Sequence, residues 1–406
     1  MVKDITTKST NKPKSTKKAT TKKSDTTKLS KKSENGNSNS ILRLPVEQNY
    51  REELEYLARS YTDEKPFQWY LSPKALRTFI LGSTKQDKLD RDIKTKFFGD
   101  VKLVERAIVT LASDRGLLLI GDPGTGKSWL AELLAAGICN NSTLVVQGTA
   151  ATTEDQIKYS WNIASVIANG QSRDNLIPSP IMVAMNNGII GRFEELTRCT
   201  SDVQDSLISI LSEKYISIPE LTANNVAFAK EGFNIIATAN SRDKGVNDLS
   251  SALKRRFNFV TIPIVNNVKT EKEIIQFRVK ELLDRKNMSQ EIPPTLLSIL
   301  IETFKGLRET NDAAKSEGEK LESALSTAEQ IGILEDALLQ NNFFPSTNHE
   351  SALAQSLIGS LTRRLPEDLA TMNRFWHSFV EAKSKNNKDW EVFFGEGEKI
   401  MAGFKL

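Results

Sequence analysis

Short runs rich in apolar residues recur through the middle of the chain, with helical or loop-like segments between them. The five runs are GLLLIG (116–121), TLVVQG (143–148), GIIGRFEE (188–195), FNIIATAN (233–240) and FVTIPIV (259–265). Continuous apolar runs of this length are typical of strands buried on both faces of a parallel sheet. Because helical material alternates with the runs, the pattern predicts an α/β fold with a parallel sheet.

Helical spacing dominates on either side of these runs. Residues 47–60 and 71–82 each place their apolar side chains on one helical face, with Ser72 as the expected N-cap and Pro73 in the first turn. From about residue 270 to its end the chain is again helical by spacing. The pattern therefore predicts N-terminal helices, a sheet-containing core and a helical C-terminal part.

Charge is concentrated at the start of the chain. Residues 1–40 contain eleven lysines and three acids, about +8, whereas the whole chain carries +4, so the remainder is about −4. This segment has almost no apolar residues and is predicted to be disordered. A lysine-rich tail could bind nucleic acid or an acidic partner through counterion release. A solubilising spacer is an equally good interpretation.

Several classes of protein are disfavoured by composition. The two cysteines, Cys139 and Cys199, lie far apart, and the two histidines, His349 and His377, belong to no motif. The positions of the cysteines and histidines indicate that there is no disulfide framework and no zinc site. We therefore expect the protein to belong to a reducing compartment. No run approaches the roughly 18 apolar residues of a membrane span, and the first residues lack the apolar core of a signal peptide. We expect a soluble, cytoplasmic protein.

The first apolar run continues directly into GDPGTGKS and then into a helix-forming segment. This stretch matches the G-x-x-x-x-G-K-[ST] pattern of a phosphate-binding loop, in the strand and helix context that the pattern requires. Glycines let backbone N–H groups surround a phosphate, the lysine reaches the β and γ oxygens, and the serine hydroxyl binds Mg²⁺. The predicted nucleotide-binding residues are Gly121, Asp122, Pro123, Gly124, Thr125, Gly126, Lys127 and Ser128.

Two adjacent acids, Glu194 and Glu195, end the third run. Taken alone they could be exposed surface charge. Ligands of open parallel sheets, however, bind at the carboxyl ends of the strands, and a phosphate-loop enzyme needs acids there. We therefore predict that these glutamates lie beside the Mg²⁺ site, together with Ser128.

The order and spacing of four motifs resemble the ATPase core of the AAA+ superfamily, specifically its MoxR-like branch. The resemblance covers residues 75–265 and is carried by GDPGTGKS, FEELTRC, DVQDSLISILSEK and FNIIATANSRDKGVNDLSSALKRRF. It implies a three-layer core with a parallel sheet, followed by an all-helical lid. It also implies five parts: a tail (1–40), N-terminal helices (41–95), the ATPase core (96–268), the lid (269–365) and a C-terminal helical appendage (366–406).

The resemblance also implies roles for individual residues. Glu194 would belong to the Mg²⁺ shell, and Glu195 would polarise the attacking water. Asn240 would act as sensor 1, although a capped strand end is the alternative interpretation. Arg255 or Arg256 would serve as an arginine finger for a neighbouring subunit, unless both simply lie on a solvated helix end. Arg198 is a weaker candidate.

The chain departs from the family pattern at two places. Glu194 replaces the usual aspartate, which could slow turnover, and Arg192 makes this strand less apolar than expected. In the lid, LSTAEQIGIL (325–334) resembles the sensor 2 segment, with Ala328 in place of its arginine. Another basic residue such as Arg308 would then have to serve, or the site would lack this cation.

The resemblance implies a Mg²⁺-dependent ATPase that forms a homo-oligomeric ring, expected to be hexameric. Its implied role is chaperone-like remodelling of a protein partner, for example one with a von Willebrand A domain. In MoxR-like proteins the region corresponding to 149–180 holds an insertion that faces the ring pore. We therefore expect TAATTEDQIKYSWN (149–162) to contact the substrate or partner, although an ordinary packing helix is the alternative. Two other functions stay open: a nucleic-acid-associated motor recruited by the basic tail, and a slow nucleotide-dependent switch.

Overall fold

The structure is a computed structural model. It describes residues 41–240, 248–265, 267–288, 290–314, 321, 325–345, 347–362 and 366–403. The predicted disordered tail over 1–40 lies outside the described residues, as does part of the motif that follows Asn240.

The described residues contain nine strands and sixteen α-helices. The strands are β1 (Gly116–Gly121), β2 (Val145–Gln147), β3 (Tyr159–Trp161), β4 (Leu176–Pro178), β5 (Ile190–Glu194), β6 (Tyr215–Ser217), β7 (Val226–Phe228), β8 (Asn234–Asn240) and β9 (Phe257–Thr261). The helices are α1 (Val46–Asn49), α2 (Arg51–Ser60), α3 (Pro73–Leu81), α4 (Val101–Leu111), α5 (Lys127–Cys139), α6 (Ile163–Asn169), α7 (Pro180–Asn187), α8 (Ser201–Ser212), α9 (Ser251–Lys254), α10 (Val268–Arg285), α11 (Pro294–Ala313), α12 (Thr327–Phe343), α13 (His349–Leu361), α14 (Pro366–Phe375), α15 (Glu381–Ser384) and α16 (Lys388–Gly403).

Five strands form one parallel sheet in the order β2-β5-β8-β1-β9. Side chains of β1 alternate between its two faces: Leu117 and Leu119 belong to the core shared with α4 and α5, and Leu118 to the core shared with α7 and α8. The sheet therefore lies between two layers of helices, which confirms the predicted fold class. Each of the five strands overlaps one of the apolar runs.

Parallel register brings three strand ends to one edge of this sheet. Gly121 of β1 pairs with Asn240 of β8, and Gln147 of β2 pairs with Glu194 of β5. β8 lies between β1 and β5, so the phosphate loop, the two glutamates and the asparagine emerge side by side. Ligands of open α/β sheets bind at this edge.

The structure differs from the predicted strands in detail. β2 spans three residues, shorter than the run over 143–148, and β9 begins two residues before the run over 259–265. Two small antiparallel hairpins, β3–β4 and β6–β7, were not predicted. Their strands have only three residues each, which is too short for alternation to identify.

The region 149–180 contains the first hairpin, with α6 between its strands. It is joined to the segment of the second hairpin by hydrogen bonds from Tyr159 Oη to Glu220 Oε2 (2.8 Å) and from Arg173 Nη2 to the Val226 carbonyl (3.1 Å). The stretch 149–162 contains a 3₁₀ turn over Glu154–Gln156 and the strand β3, so the alternative of an ordinary packing helix there is wrong. The two hairpins form a connected structure beside the core.

The N-terminal helices pack on the helix that follows the phosphate loop. The backbone N–H of Leu71 donates to the Gly137 carbonyl of α5 (3.1 Å). Ser72 accepts a hydrogen bond from the Ala75 N–H and Pro73 opens α3, as predicted. Cys139 and Cys199 are free thiols, and burial raises the pKa of each.

The C-terminal helices share a single hydrophobic core that extends from Ile275 of α10 to Met401 of α16. Phe375 and Trp376 are almost fully buried in it. Trp376 Nε1 also donates to the Phe394 carbonyl of α16 (3.0 Å). The predicted appendage over 366–406 is thus packed into the lid, because its largest side chains fill the lid core.

None of the helices in the described ranges has the length and apolar character that crossing a lipid bilayer requires.

We predict opposite effects for two glycines of α16. A Cβ at Gly397 would lie 2.2 Å from Trp376 Cζ2, whereas a Cβ at Gly395 would meet nothing within 4 Å. Gly397→Ala should therefore destabilise the protein by about 1–3 kcal/mol through overpacking. Gly395→Ala should stabilise it by about 0.4–1 kcal/mol, because alanine loses less backbone entropy on folding. Urea unfolding followed by circular dichroism tests both, and equal midpoints would contradict the lid packing.

Candidate nucleotide-binding and hydrolysis site

The phosphate loop connects β1 to α5 through two residues with left-handed backbone. Gly124 has φ 77° and Gly126 has φ 87°, a region that favours glycine. Lys127 is only 6% exposed, and its Nζ donates to the carbonyls of Gly121 and Asp122 at 2.9 Å each. The loop thus presents a buried cation and the N-terminus of α5 together, the arrangement that binds phosphate.

Glu194 connects the β5 strand end to the phosphate loop. Its Oε2 accepts hydrogen bonds from Ser128 Oγ (2.7 Å) and from Thr238 Oγ1 (2.6 Å), and the residue is 5% exposed. Mg²⁺ prefers hard oxygen ligands and usually takes one or two from the protein. The adjacent hydroxyl of Ser128 and carboxylate of Glu194 fit this requirement, and these two residues would hold the ion.

Glu195 follows in a left-handed conformation, φ 57°, which is uncommon outside glycine. Its backbone N–H donates to Thr238 Oγ1 (3.0 Å). Its Oε2 accepts from Asn240 Nδ2 (2.8 Å) and forms an ion pair with Arg198 Nε (3.2 Å). The turn gives the two neighbouring glutamates different partners, so one lies at Ser128 and the other at Asn240.

The structure adds Thr238, which the sequence analysis missed. Its single hydroxyl donates to the Glu194 carboxylate and accepts from the Glu195 N–H, and so links both acids to β8. Thr238 lies two residues before Asn240 and therefore on the same face of the strand. A polar residue with this spacing in an otherwise apolar strand is the signal that could have identified it.

Gly148 was also missed. Its N–H donates to the Glu194 carbonyl (2.7 Å), and a Cβ there would lie 2.6 Å from the Glu195 carbonyl oxygen. Any side chain at this position would push the loop after β2 away from the two glutamates. Close backbone approach therefore explains the glycine.

The structure distinguishes the two adjacent arginines. Arg256 Nε donates to Ser212 Oγ, and its Nη1 donates to the Ala252 carbonyl, both at 2.6 Å, which ties α9 to α8. Arg255 caps the C-terminus of α9 and is exposed, and its side chain makes no hydrogen bond or ion pair with another described residue. Among the described residues, the guanidinium of Arg256 therefore has partners and that of Arg255 has none.

Helix α12 of the lid begins directly against the phosphate loop. A Cβ at Gly124 would lie 2.3 Å from Ser326 Oγ and 3.2 Å from Ala328 Cβ. The structure thus places Ala328 at the loop, where the resemblance puts the sensor 2 arginine. Arg308 donates instead to Glu271 Oε1 (2.5 Å) and to the Leu325 carbonyl (2.9 Å). Its described contacts anchor the lid segment before α12 and include none with the loop.

A further junction between core and lid was not predicted. Trp129, the residue after Ser128, donates from Nε1 to the Lys96 carbonyl (2.8 Å), and the Arg278 guanidinium of α10 lies 4.6 Å from its ring centroid. Phe98 packs edge-on against Phe277 of α10 at 5.9 Å. The segment before α4 therefore bridges α5 and the lid beside the phosphate loop.

Two family models match the chain. One, described as an AAA domain of the dynein-related subfamily, covers residues 116–257. The other, described as the YehL-like AAA+ ATPase C-terminal domain, covers residues 269–399 and so spans both the predicted lid and the predicted appendage. These matches confirm the AAA+ resemblance that the motifs carry.

Similar proteins extend this finding. The uncharacterized protein YehL of Escherichia coli (strain K12) is 38% identical over 359 residues, 88% of this chain and 97% of that protein. The uncharacterized protein YojN of Bacillus subtilis (strain 168) is 27% identical over 168 residues, 41% of this chain and 53% of that protein. The ADP complex of NtrX from Brucella abortus shares 13% identity at a TM-score of 0.46, over 75% of this chain and 64% of that chain. That structural likeness is too weak to support an argument about activity.

We predict that Thr238→Val lowers ATP turnover by about 10- to 100-fold while nucleotide affinity changes little, as expected for a residue that orients a catalytic group. Valine preserves the shape but cannot donate to Glu194 or accept from the Glu195 N–H. Thr238→Ser retains the hydroxyl and should retain most of the turnover. Steady-state phosphate release provides the measurement, and equal rates for the two variants would exclude the role assigned to Thr238.

Proposed function

The chain belongs to the AAA+ ATPases with a YehL-like C-terminal domain, and from this premise we propose a Mg²⁺-dependent ATP hydrolase that remodels a protein partner as a ring. The observation that carries the proposal is the meeting of three elements at one sheet edge. Ser128 of α5 contacts Glu194 at 2.7 Å, and Asn240 of β8 contacts Glu195 at 2.8 Å. The site thus combines a phosphate loop, an oxygen ligand pair and a second carboxylate.

Each residue has a part in phosphoryl transfer to water. Lys127 and the N-terminus of α5 attract the phosphates of ATP. Ser128 and Glu194 would hold Mg²⁺, which would neutralise negative charge on the phosphates of ATP. Glu195 accepts a hydrogen bond from the attacking water and so directs a lone pair at the γ-phosphorus. Asn240 fixes the position of that carboxylate.

Arg255 supports a ring with shared active sites. A guanidinium that is exposed at a helix end and unengaged within its own described chain can reach the nucleotide of a neighbouring subunit. There it would stabilise the negative charge of the transferring phosphoryl group. Arg256 is held by Ser212 and has the different role of fixing α9.

The two connected hairpins supply the surface that we propose for the partner. Ile163 and Ile167 of α6 are 72% and 81% exposed, and Phe228 of β7 is 69% exposed. Exposed apolar side chains on neighbouring elements mark sites of protein contact. A protein with a von Willebrand A domain is the partner class that follows from the family resemblance, and the ring is proposed to be hexameric.

We predict that Glu195→Gln retains ATP binding and loses nearly all turnover, because glutamine keeps the side-chain size but cannot polarise the water. Lys127→Ala should lose binding itself. Equilibrium binding of a fluorescent ATP analogue and phosphate release separate the two effects. Unchanged turnover in Glu195→Gln would refute the proposed mechanism, whereas binding with negligible turnover in the unaltered protein would favour a nucleotide-dependent switch.

We predict that Arg255→Ala lowers turnover by about 10³-fold or more, the usual effect of removing an arginine finger, while Arg256→Ala mainly destabilises α9. Specific activity of the unaltered protein should rise with its concentration as assembly proceeds, followed by light scattering. Mixing the Arg255→Ala and Glu195→Gln variants should restore some activity. At some mixed interfaces one subunit supplies an intact Glu195 and its neighbour supplies an intact Arg255, which together complete one site. Activity that is independent of concentration and of Arg255 would contradict the ring.

The alternative function has its own test. Turnover that DNA stimulates, and that loses this stimulation when residues 1–40 are deleted, would favour a nucleic-acid motor.

A further inference from the structure

A buried cluster of charges lies behind the proposed Mg²⁺ site. Arg192 is 5% exposed, and its Nη2 lies 2.5 Å from Glu194 Oε1 and 3.7 Å from Glu132 Oε1. Its Nη1 donates to the Ser142 carbonyl (2.8 Å). One guanidinium therefore lies between two carboxylates and is anchored from the other side by a fixed backbone oxygen.

The positions of these residues follow from strand and helix periodicity. Arg192 and Glu194 are two residues apart on β5, so their side chains share one face of the strand. Ser128 and Glu132 are four residues apart on α5, so they share one face of the helix. Strand β5 and helix α5 thus face each other, and each contributes two polar residues. Arg192 lies close to the sheet edge that carries the site because its side chain lies next to that of Glu194.

A purely structural role does not account for an arginine here. Arg192 pairs in register with Val145 of β2 and Ile236 of β8, both apolar. Burying a guanidinium is unfavourable until its partners compensate for the lost hydration, and an apolar residue is often as stabilising. In addition, Arg192 Nε is buried without an acceptor among the described residues. The chain retains a costly cation beside the residue that faces Mg²⁺.

The two oxygens of Glu194 have separate partners. Oε1 is held by Arg192, while Oε2 accepts from Ser128 and Thr238. An aspartate is one methylene shorter, so its carboxylate would lie nearer the β5 backbone, and we expect it to lose at least one of the contacts with Ser128 and Arg192. The longer side chain and the arginine therefore depend on each other.

We propose that Arg192 is a positioning residue that fixes Glu194 so that Oε2 faces the Mg²⁺ bound with nucleotide, and that the pair replaces the single aspartate of related ATPases. This inference rests on the proposed function of the site. The pair acts as a unit, because Arg192 restrains the orientation of the longer carboxylate.

The test measures the affinity of the full-length protein for a fluorescent ADP analogue with Mg²⁺ and with EDTA. Arg192→Met should reduce the Mg²⁺-dependent gain in affinity by about 10-fold, the usual scale for loss of a residue that orients a ligand. Affinity in EDTA should stay within about twofold, because the phosphate loop is untouched. Arg192→Lys should recover part of the gain. Glu132→Gln leaves the contact between Arg192 and Glu194 Oε1 in place and should change the gain little.

Two further variants examine the mutual dependence. Glu194→Asp alone should lower the Mg²⁺-dependent gain, although it installs the usual residue of the family. In the Arg192→Met background the same change should lower it less or raise it, since the restraint is already absent. Effects that simply add would overturn the proposal, because independent residues show no coupling.

Other outcomes also decide the matter. An equal loss of affinity with Mg²⁺ and with EDTA, together with a lower unfolding midpoint, would make Arg192 a structural residue and overturn the proposal. Unaltered protein without any Mg²⁺-dependent nucleotide binding would instead refute the proposed function, and the inference with it. Circular dichroism of each variant confirms that binding is compared between folded proteins.

Discussion

The site depends on the hydrogen bonds that the carboxylate of Glu194 accepts. This carboxylate accepts hydrogen bonds from Ser128 at the start of α5, from Thr238 in the centre of the sheet and from Arg192 on its own strand. A single buried anion thereby holds the phosphate loop, β5 and β8 in one arrangement. Charge-assisted hydrogen bonds of this kind are stronger than neutral ones, and their low exposure protects them from solvent screening.

Around this anion, backbone geometry separates functions that are adjacent in sequence. The left-handed turn at Glu195 takes its carboxylate to Asn240 and Arg198, away from the oxygen pair at Ser128. Such a conformation carries strain, and it persists where surrounding contacts over-determine it. Here the Thr238 hydroxyl receives the Glu195 N–H, and Gly148 allows close approach of the neighbouring loop. The strained turn thus places one carboxylate at Ser128 and the other at Asn240.

The lid is part of this arrangement because α12 starts against Gly124 of the phosphate loop. Helices α10 to α14 and α16 share one hydrophobic core, so the start of α12 is part of one packed unit. Trp129 adds a second connection through Arg278 of α10. The lid therefore contacts both the phosphate loop and the helix that follows it.

Sequence patterns alone were enough to predict the five core strands, the phosphate loop and the position of the two glutamates at a strand end. Buried parallel strands and glycine-rich loops have local signatures that do not depend on distant residues. The sequence did not reveal the short hairpins, whose three-residue strands are too brief for periodicity, or the roles of Thr238 and Gly148. It showed Arg192 only as a departure from an apolar strand. Those features, and the distinction between Arg255 and Arg256, depend on the tertiary structure. Hydrogen bonds between β5, β8, α5 and α8 join residues that are far apart in the sequence, so the sequence alone does not show that they are neighbours.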